Sequence, residues 1–171
     1  MDEKIKEYRE IYNSCWKLFL HVSCVEEKDW LNQMQLESIQ VVKRHKDSPF
    51  MKKLLCATIE ELCNLYWTDN KNHLDKEDLQ LYRDTYVNTC NLLTSNVGGE
   101  GKDEEYERIQ NDVSQIYKAN PKKITSNLCV LTLNELENIF ESKKPIKTKT
   151  EKKTRTTKTK KKNKTEKEKK L

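Results

Sequence analysis

Glycine and proline are scarce: three of each in 171 residues, the glycines confined to positions 98–101 and the prolines at 49, 121 and 145. An all-β sandwich or barrel needs turn residues about every 8–12 positions, so that class is excluded. Neither G-x-x-x-x-G-K-[ST] nor G-x-G-x-x-G occurs, which removes the glycine-rich phosphate cradles. No stretch approaches the roughly 20 consecutive apolar residues of a membrane span. The richest, residues 15–25, is broken by Lys17 and His21. The first ten residues are polar and partly acidic where a secretory leader has a basic start and an apolar run, so a cytoplasmic protein is expected.

Reactive constellations are equally thin. The six cysteines, at 15, 24, 56, 63, 90 and 129, contain no C-x2-C pair. His21 and Cys24 have the nearest ligand-like spacing and lack two further partners, so no metal is expected. With no export signal, reduced thiols are expected. Most of them fall on apolar helix faces, where cysteine is a small hydrophobe rather than a nucleophile for His21, His45 or His73. The acidic stretch from Asp69 lacks the glycine at position six and the carboxylate at position twelve of a calcium loop; Gln80 stands there. The adjacent pairs Glu60-Glu61 and Glu104-Glu105 diverge around a helix and read as solvated faces. Neither an enzyme nor a cofactor is expected.

What is present is charge, unevenly placed. Residues 143–171 carry fifteen Lys and Arg against three acids, +12, while residues 1–142 carry eighteen against twenty-five, −7. The tail holds seven threonines, no aromatic residue and only Ile146 and Leu171 from the apolar set, so burial cannot offset the entropy of ordering it. It is expected to be disordered. Lysines meet phosphates as point charges, and without rings to stack on bases they supply affinity with little sequence choice. Lys152, Lys153, Arg155, Lys158, Lys160, Lys161, Lys162 and Lys164 are the candidate nucleic-acid contacts.

Apolar spacing in the body is helical throughout. Ile5, Tyr8, Tyr12, Cys15, Trp16 and Phe19 form one stripe on a helix over about 2–22. Ser23 and Glu26 have capping-box spacing ahead of a second helix, roughly 25–46, with Trp30, Leu31, Met34, Val41 and Val42 on its buried side. Ser48-Pro49 reads as the cap of a third, 49–67, with Met51, Leu54, Leu55, Ile59, Leu62, Cys63 and Tyr66 apolar. Asp75 caps a fourth, carrying Leu79, Tyr82, Tyr86, Cys90 and Leu93. A fifth, with Tyr106, Ile109, Val113, Ile116 and Tyr117, stops before Pro121. Thr132 and Glu135 suggest a capping box opening a short last helix, preceded at 128–131 by an extended segment or irregular helix start.

The expected fold is therefore all-α: an antiparallel bundle of about four helices over 1–95, a glycine-rich linker at 96–102, a helical extension over 103–142 and a disordered basic tail at 143–171. One internal echo stands out. Tyr8-Arg9-Glu10-Ile11-Tyr12 resembles Tyr82-Arg83-Asp84-Thr85-Tyr86, but matching Asn13-Ser14-Cys15 to Asn88-Thr89-Cys90 requires an inserted residue. That insertion turns all later positions by about 100° around a helix, which argues against a repeat.

Lys43, Arg44, His45, Lys46, Lys52 and Lys53 surround the Ser48-Pro49 turn, where a helix start could help hold a phosphate. As a DNA-reading helix-turn-helix the segment is poor, because its second helix is apolar where recognition needs exposed polar groups. Two functions are expected from these features. In the first, a non-enzymatic helical protein binds a protein partner through its acidic body and nucleic acid non-specifically through its tail. In the second, it is an adaptor in which residues 103–142 dock on a partner and the tail is inert.

Overall fold

The structure, a computed structural model, describes residues 1–25, 28–67 and 74–144. It is all-helical: α1 Asp2–Ser23, α2 Trp30–Arg44, α3 Pro49–Trp67, α4 Lys76–Asn96, α5 Asp103–Ala119 and α6 Lys123–Lys143. No described residue lies in a strand. Among the described residues no helix is long and apolar enough to cross a membrane.

Local chemistry sets several helix ends as the spacing indicated. The Asp75 carboxylate accepts from the Asp78 amide at 2.7 Å, and the Ser48 hydroxyl accepts from the Met51 amide at 3.3 Å. α5 ends at Ala119, two residues before Pro121. The expected box at Ser23 reaches Glu26, which lies outside the described residues. Ser23 itself closes α1, its hydroxyl donating to the Leu20 carbonyl at 3.1 Å, and α2 starts only at Trp30.

Four helices surround the core. α1 packs on α3 and α4, and α6 packs on the same two, closing a ring; α2 lies outside on α1 and α3, α5 outside on α4 and α6. Among the described residues α1 and α6 face each other across this ring without close backbone approach, as do α3 and α4. The ring is thus not the first four helices in chain order. Ile124, Leu128 and Phe140 of α6 are buried in one cluster with Ile11, Leu18 and Phe19 of α1.

Three expectations are corrected. α6 is one unbroken helix, so residues 128–131 are neither extended nor irregular. Thr132 and Glu135 lie in its middle, where amides are already bonded within the helix, and their side chains turn to α1 instead. On α2, Trp30, Met34 and Val41 are buried as expected, but Leu31 and Val42 are not: they remain 57% and 41% exposed. They lie about 80–100° around the helix from the middle of the buried stripe.

The glycine-rich stretch is held in place. The Glu105 carboxylate accepts from the amides of Glu100, Gly101 and Lys102 at 3.0, 2.7 and 3.1 Å, bonds that lower its proton affinity, Lys102's foremost. Lys143 Nζ donates to the Val97 and Gly99 carbonyls, both at 2.7 Å. Gly101 has φ +71, and a Cβ there would stand 2.8 Å from Phe140. Gly101→Ala therefore carries both left-handed strain and a clash with a buried ring. It is expected to destabilise the protein by about 1–3 kcal/mol, read by urea denaturation, whereas Gly98→Ala, with 3.5 Å clearance, should be much milder.

Candidate functional site

The basic turn predicted to attract phosphate joins α2 to α3. Lys43, Arg44, Lys46, Lys52 and Lys53 are all exposed, as a solvated basic surface requires. His45 differs, being buried at the C-cap of α2 with Nε2 3.1 Å from the Ser14 hydroxyl, while Arg44 Nη1 lies 3.4 Å from the same oxygen. At the start of α3 the Met51 amide, one of the donors that would meet an anion, is taken by Ser48. Lys52 and Lys53 line a groove against α6.

That groove, of about 480 Å³, is shallow and mainly apolar. Lys52, Lys53, Cys56 and Ala57 of α3 form one wall, and Asn127, Val130 and Leu131 of α6 the other. Glu60 completes the α3 wall and pairs with Lys123 at 2.6 Å. A second surface of note is the outer face of α2, where Leu31, Leu36, Ile39 and Val42 are exposed. Leu36 is the most open of the four, at 60%. The candidate contacts between Lys152 and Lys164, and His73 and Asp69, lie outside the described residues.

The thiols carry no activated nucleophile in the core. Burial pushes the Cys15 thiol up to about 12 and those of Cys90 and Cys129 to about 11, and it raises Cys63 as well. Cys24 and Cys56 are exposed. His21 Nδ1 lies 3.1 Å from Glu37 Oε1. Among the described residues no three His, Cys, Asp or Glu side chains are grouped to hold a metal ion.

Polar chemistry inside the ring is concentrated in two ladders that sequence reading missed. From α1, the Tyr8 hydroxyl donates to Glu135 and the Tyr12 hydroxyl lies 2.7 Å from Thr132 on α6. From α4, the Tyr82 hydroxyl donates to Glu61 at 2.7 Å and the Tyr86 hydroxyl lies 2.8 Å from Thr58 on α3. Thr132 and Thr58 spend their protons on the carbonyls four residues back, Leu128 and Leu54, so each accepts from its tyrosine. Burial raises the proton affinity of all four phenols, and the carboxylates of Glu135 and Glu61 add to this for Tyr8 and Tyr82. They remain donors. Glu61 is accordingly buried rather than on a solvated face, whereas its neighbour Glu60 is exposed. The available signal was the spacing Thr-x2-Glu, present at both 58–61 and 132–135.

No protein family, no curated protein and no solved structure matches the chain.

His45 yields a pH prediction. Desolvation lowers its proton affinity and the Arg44 charge adds to this, while Glu10 and Glu7 oppose. The folded state therefore prefers neutral imidazole, and the unfolded chain binds the proton first, near its ordinary value of about 6.5. Stability from this group is complete above about pH 6.5 and is lost as pH falls through the lower folded value. Thermal melts between about pH 7.5 and 5.5 should show a decline that His45→Gln, which keeps a donor and an acceptor for Ser14, reduces.

Proposed function

We propose that this is a non-catalytic cytoplasmic protein that binds a protein partner through its acidic helical body and nucleic acid, without sequence choice, through its basic tail. The observation that carries this reading is the division of charge, −7 over residues 1–142 and +12 over residues 143–171. In it the body is a rigid scaffold with an antiparallel four-helix core. The tail is a polycation whose Lys152, Lys153, Arg155, Lys158, Lys160, Lys161, Lys162 and Lys164 neutralise phosphates and release counterions. Lys43, Arg44, Lys46, Lys52 and Lys53 are exposed and add a weaker phosphate contact on the body. No cofactor enters this function.

The surface offered to a protein partner is the outer face of α2. Within 103–142, Leu128, Leu136, Ile139 and Phe140 are buried in the protein's own core, Leu131 and Leu133 are half-buried and Val130 is exposed, so this segment offers less apolar surface than α2. Leu31, Leu36, Ile39 and Val42 are four exposed apolar side chains on one helix, more than any other described helix carries; α4 exposes Leu81 and Val87.

Electrophoretic mobility of the full chain and of residues 1–144, with unrelated duplex and single-stranded probes, tests the tail. The full chain should bind both, with a log–log salt slope near 0.7 to 0.9 per phosphate neutralised. Equal binding by the shorter chain would remove the tail from the function. For the body, Leu36→Glu with Ile39→Glu should leave helicity and nucleic-acid binding intact and abolish co-purification of the protein partner. Unchanged co-purification would move the contact away from α2.

A further inference from the structure

The two tyrosine ladders are the same ladder. Adding 74 to the position of every member of one gives a member of the other: Tyr8 and Tyr82, Tyr12 and Tyr86, Thr58 and Thr132, Glu61 and Glu135. Helix starts follow the same offset to within one residue, and helix ends to within two. α1 begins at Asp2 and α4 at Lys76; α3 begins at Pro49 and α6 at Lys123; α5 begins one residue earlier than α2 would place it. No insertion is needed within the core helices, so the rotation that counted against a repeat does not arise.

The packing has the matching symmetry. Exchanging α1 with α4, α2 with α5 and α3 with α6 leaves the set of helix neighbours unchanged. The exchange also holds at single residues. Thr89 stands beside Tyr12 and Cys15 beside Tyr86, and these two are again 74 apart. Both outer helices end on a buried polar C-cap, His45 and Asn120, and each cap bonds a hydroxyl on the first helix of its own half: Ser14 at 3.1 Å, Thr85 at 2.9 Å. The caps are 75 apart, one residue more than the core helices, and the hydroxyls 71 apart, one helical turn from the equivalent position, so this contact is matched in kind and not residue by residue. Buried leucines repeat too, as Leu18 and Leu92, Leu54 and Leu128, Leu62 and Leu136.

We infer that the chain is two copies of one three-helix unit, joined as an isologous pair about a pseudo-two-fold axis, and that the face formed by the first and third helices of the unit is a docking surface for a second copy of that unit. Each ladder crosses from one copy to the other, because α1 reaches α6 and α4 reaches α3. In an isologous contact residue i meets j and j meets i, and the two ladders are that reciprocal pair. The α3–α6 groove then lies on the axis: Lys53 and Asn127, Cys56 and Val130, Ala57 and Leu131 are equivalent positions on its two walls.

Two-fold symmetry makes cross-distances equal, and this can be measured on the full chain. Spin labels are placed on exposed positions 17 and 126 in one variant and on their equivalents 91 and 52 in another, with Cys24, Cys56 and Cys63 replaced. Double electron–electron resonance should give superposable distance distributions for the two pairs; non-overlapping distributions would overturn the inference. Pseudo-symmetry also fixes a second connection. A permuted chain running from Lys76 to Glu141, then a copy of residues 68–75, then Asp2 to Trp67, should fold as a monomer with a Tm within roughly 5 °C of the parent. Failure of that chain to fold would likewise count against equivalent copies.

Discussion

Four buried phenol hydroxyls govern this structure. A hydroxyl removed from water without a partner costs on the order of 1–3 kcal/mol, so a core built on Tyr8, Tyr12, Tyr82 and Tyr86 must supply acceptors at fixed depth. The acceptors are on helices that do not pack directly against the donors' own: α6 serves α1, and α3 serves α4. The tyrosine side chains are long enough to cross the ring, and the threonines, whose protons go to their own helices, are left as pure acceptors. Shifting one helix by a turn would strand a carboxylate and a hydroxyl together. The ladders thus fix helix register in a way that interchangeable leucines do not.

Reciprocity comes from the same geometry. When two copies of a unit meet face to face, any donor that finds an acceptor does so twice, and the benefit is doubled without a second invention. Most positions kept in both copies act between copies, the ladder residues and the leucines around them; Glu3 and Glu77, Arg9 and Arg83, and Asn64 and Asn138 are kept as well and lie exposed. The outer helices were free to differ. With the caps His45 and Asn120 aligned, Leu36 and Ile39 of α2 stand where α5 has Asn111 and Ser114. The same site in the same fold is polar in one copy and apolar in the other, so the fold does not require the apolar version. That difference supports the proposed partner contact through α2.

The polar groups of the core are used structurally. The buried thiols are held protonated by desolvation, the buried phenols are fixed as donors, and the two carboxylates of the ladders are committed to tyrosines. A binding role for the body, with a polycation attached, uses what the chain displays: an apolar helix face, a solvated basic turn and a strong separation of charge.

Sequence alone determined the helical class, because sparse glycine and proline together with three- and four-residue apolar spacing permit little else. It also determined the caps at Ser48 and Asp75, where a side chain and the amide three residues on are local partners. The basic turn was visible as a run of charge. Only the tertiary structure decided which four helices enclose the core, why Glu61 is buried beside an exposed Glu60, and why Thr132 and Glu135 are not a cap. Each of these depends on a partner 21 to 127 residues away, and no local spacing encodes that distance. The echo between residues 8–12 and 82–86 was legible, yet its meaning was not. An alignment by neighbouring letters asked for an insertion, and the contacts across the ring restored the constant offset.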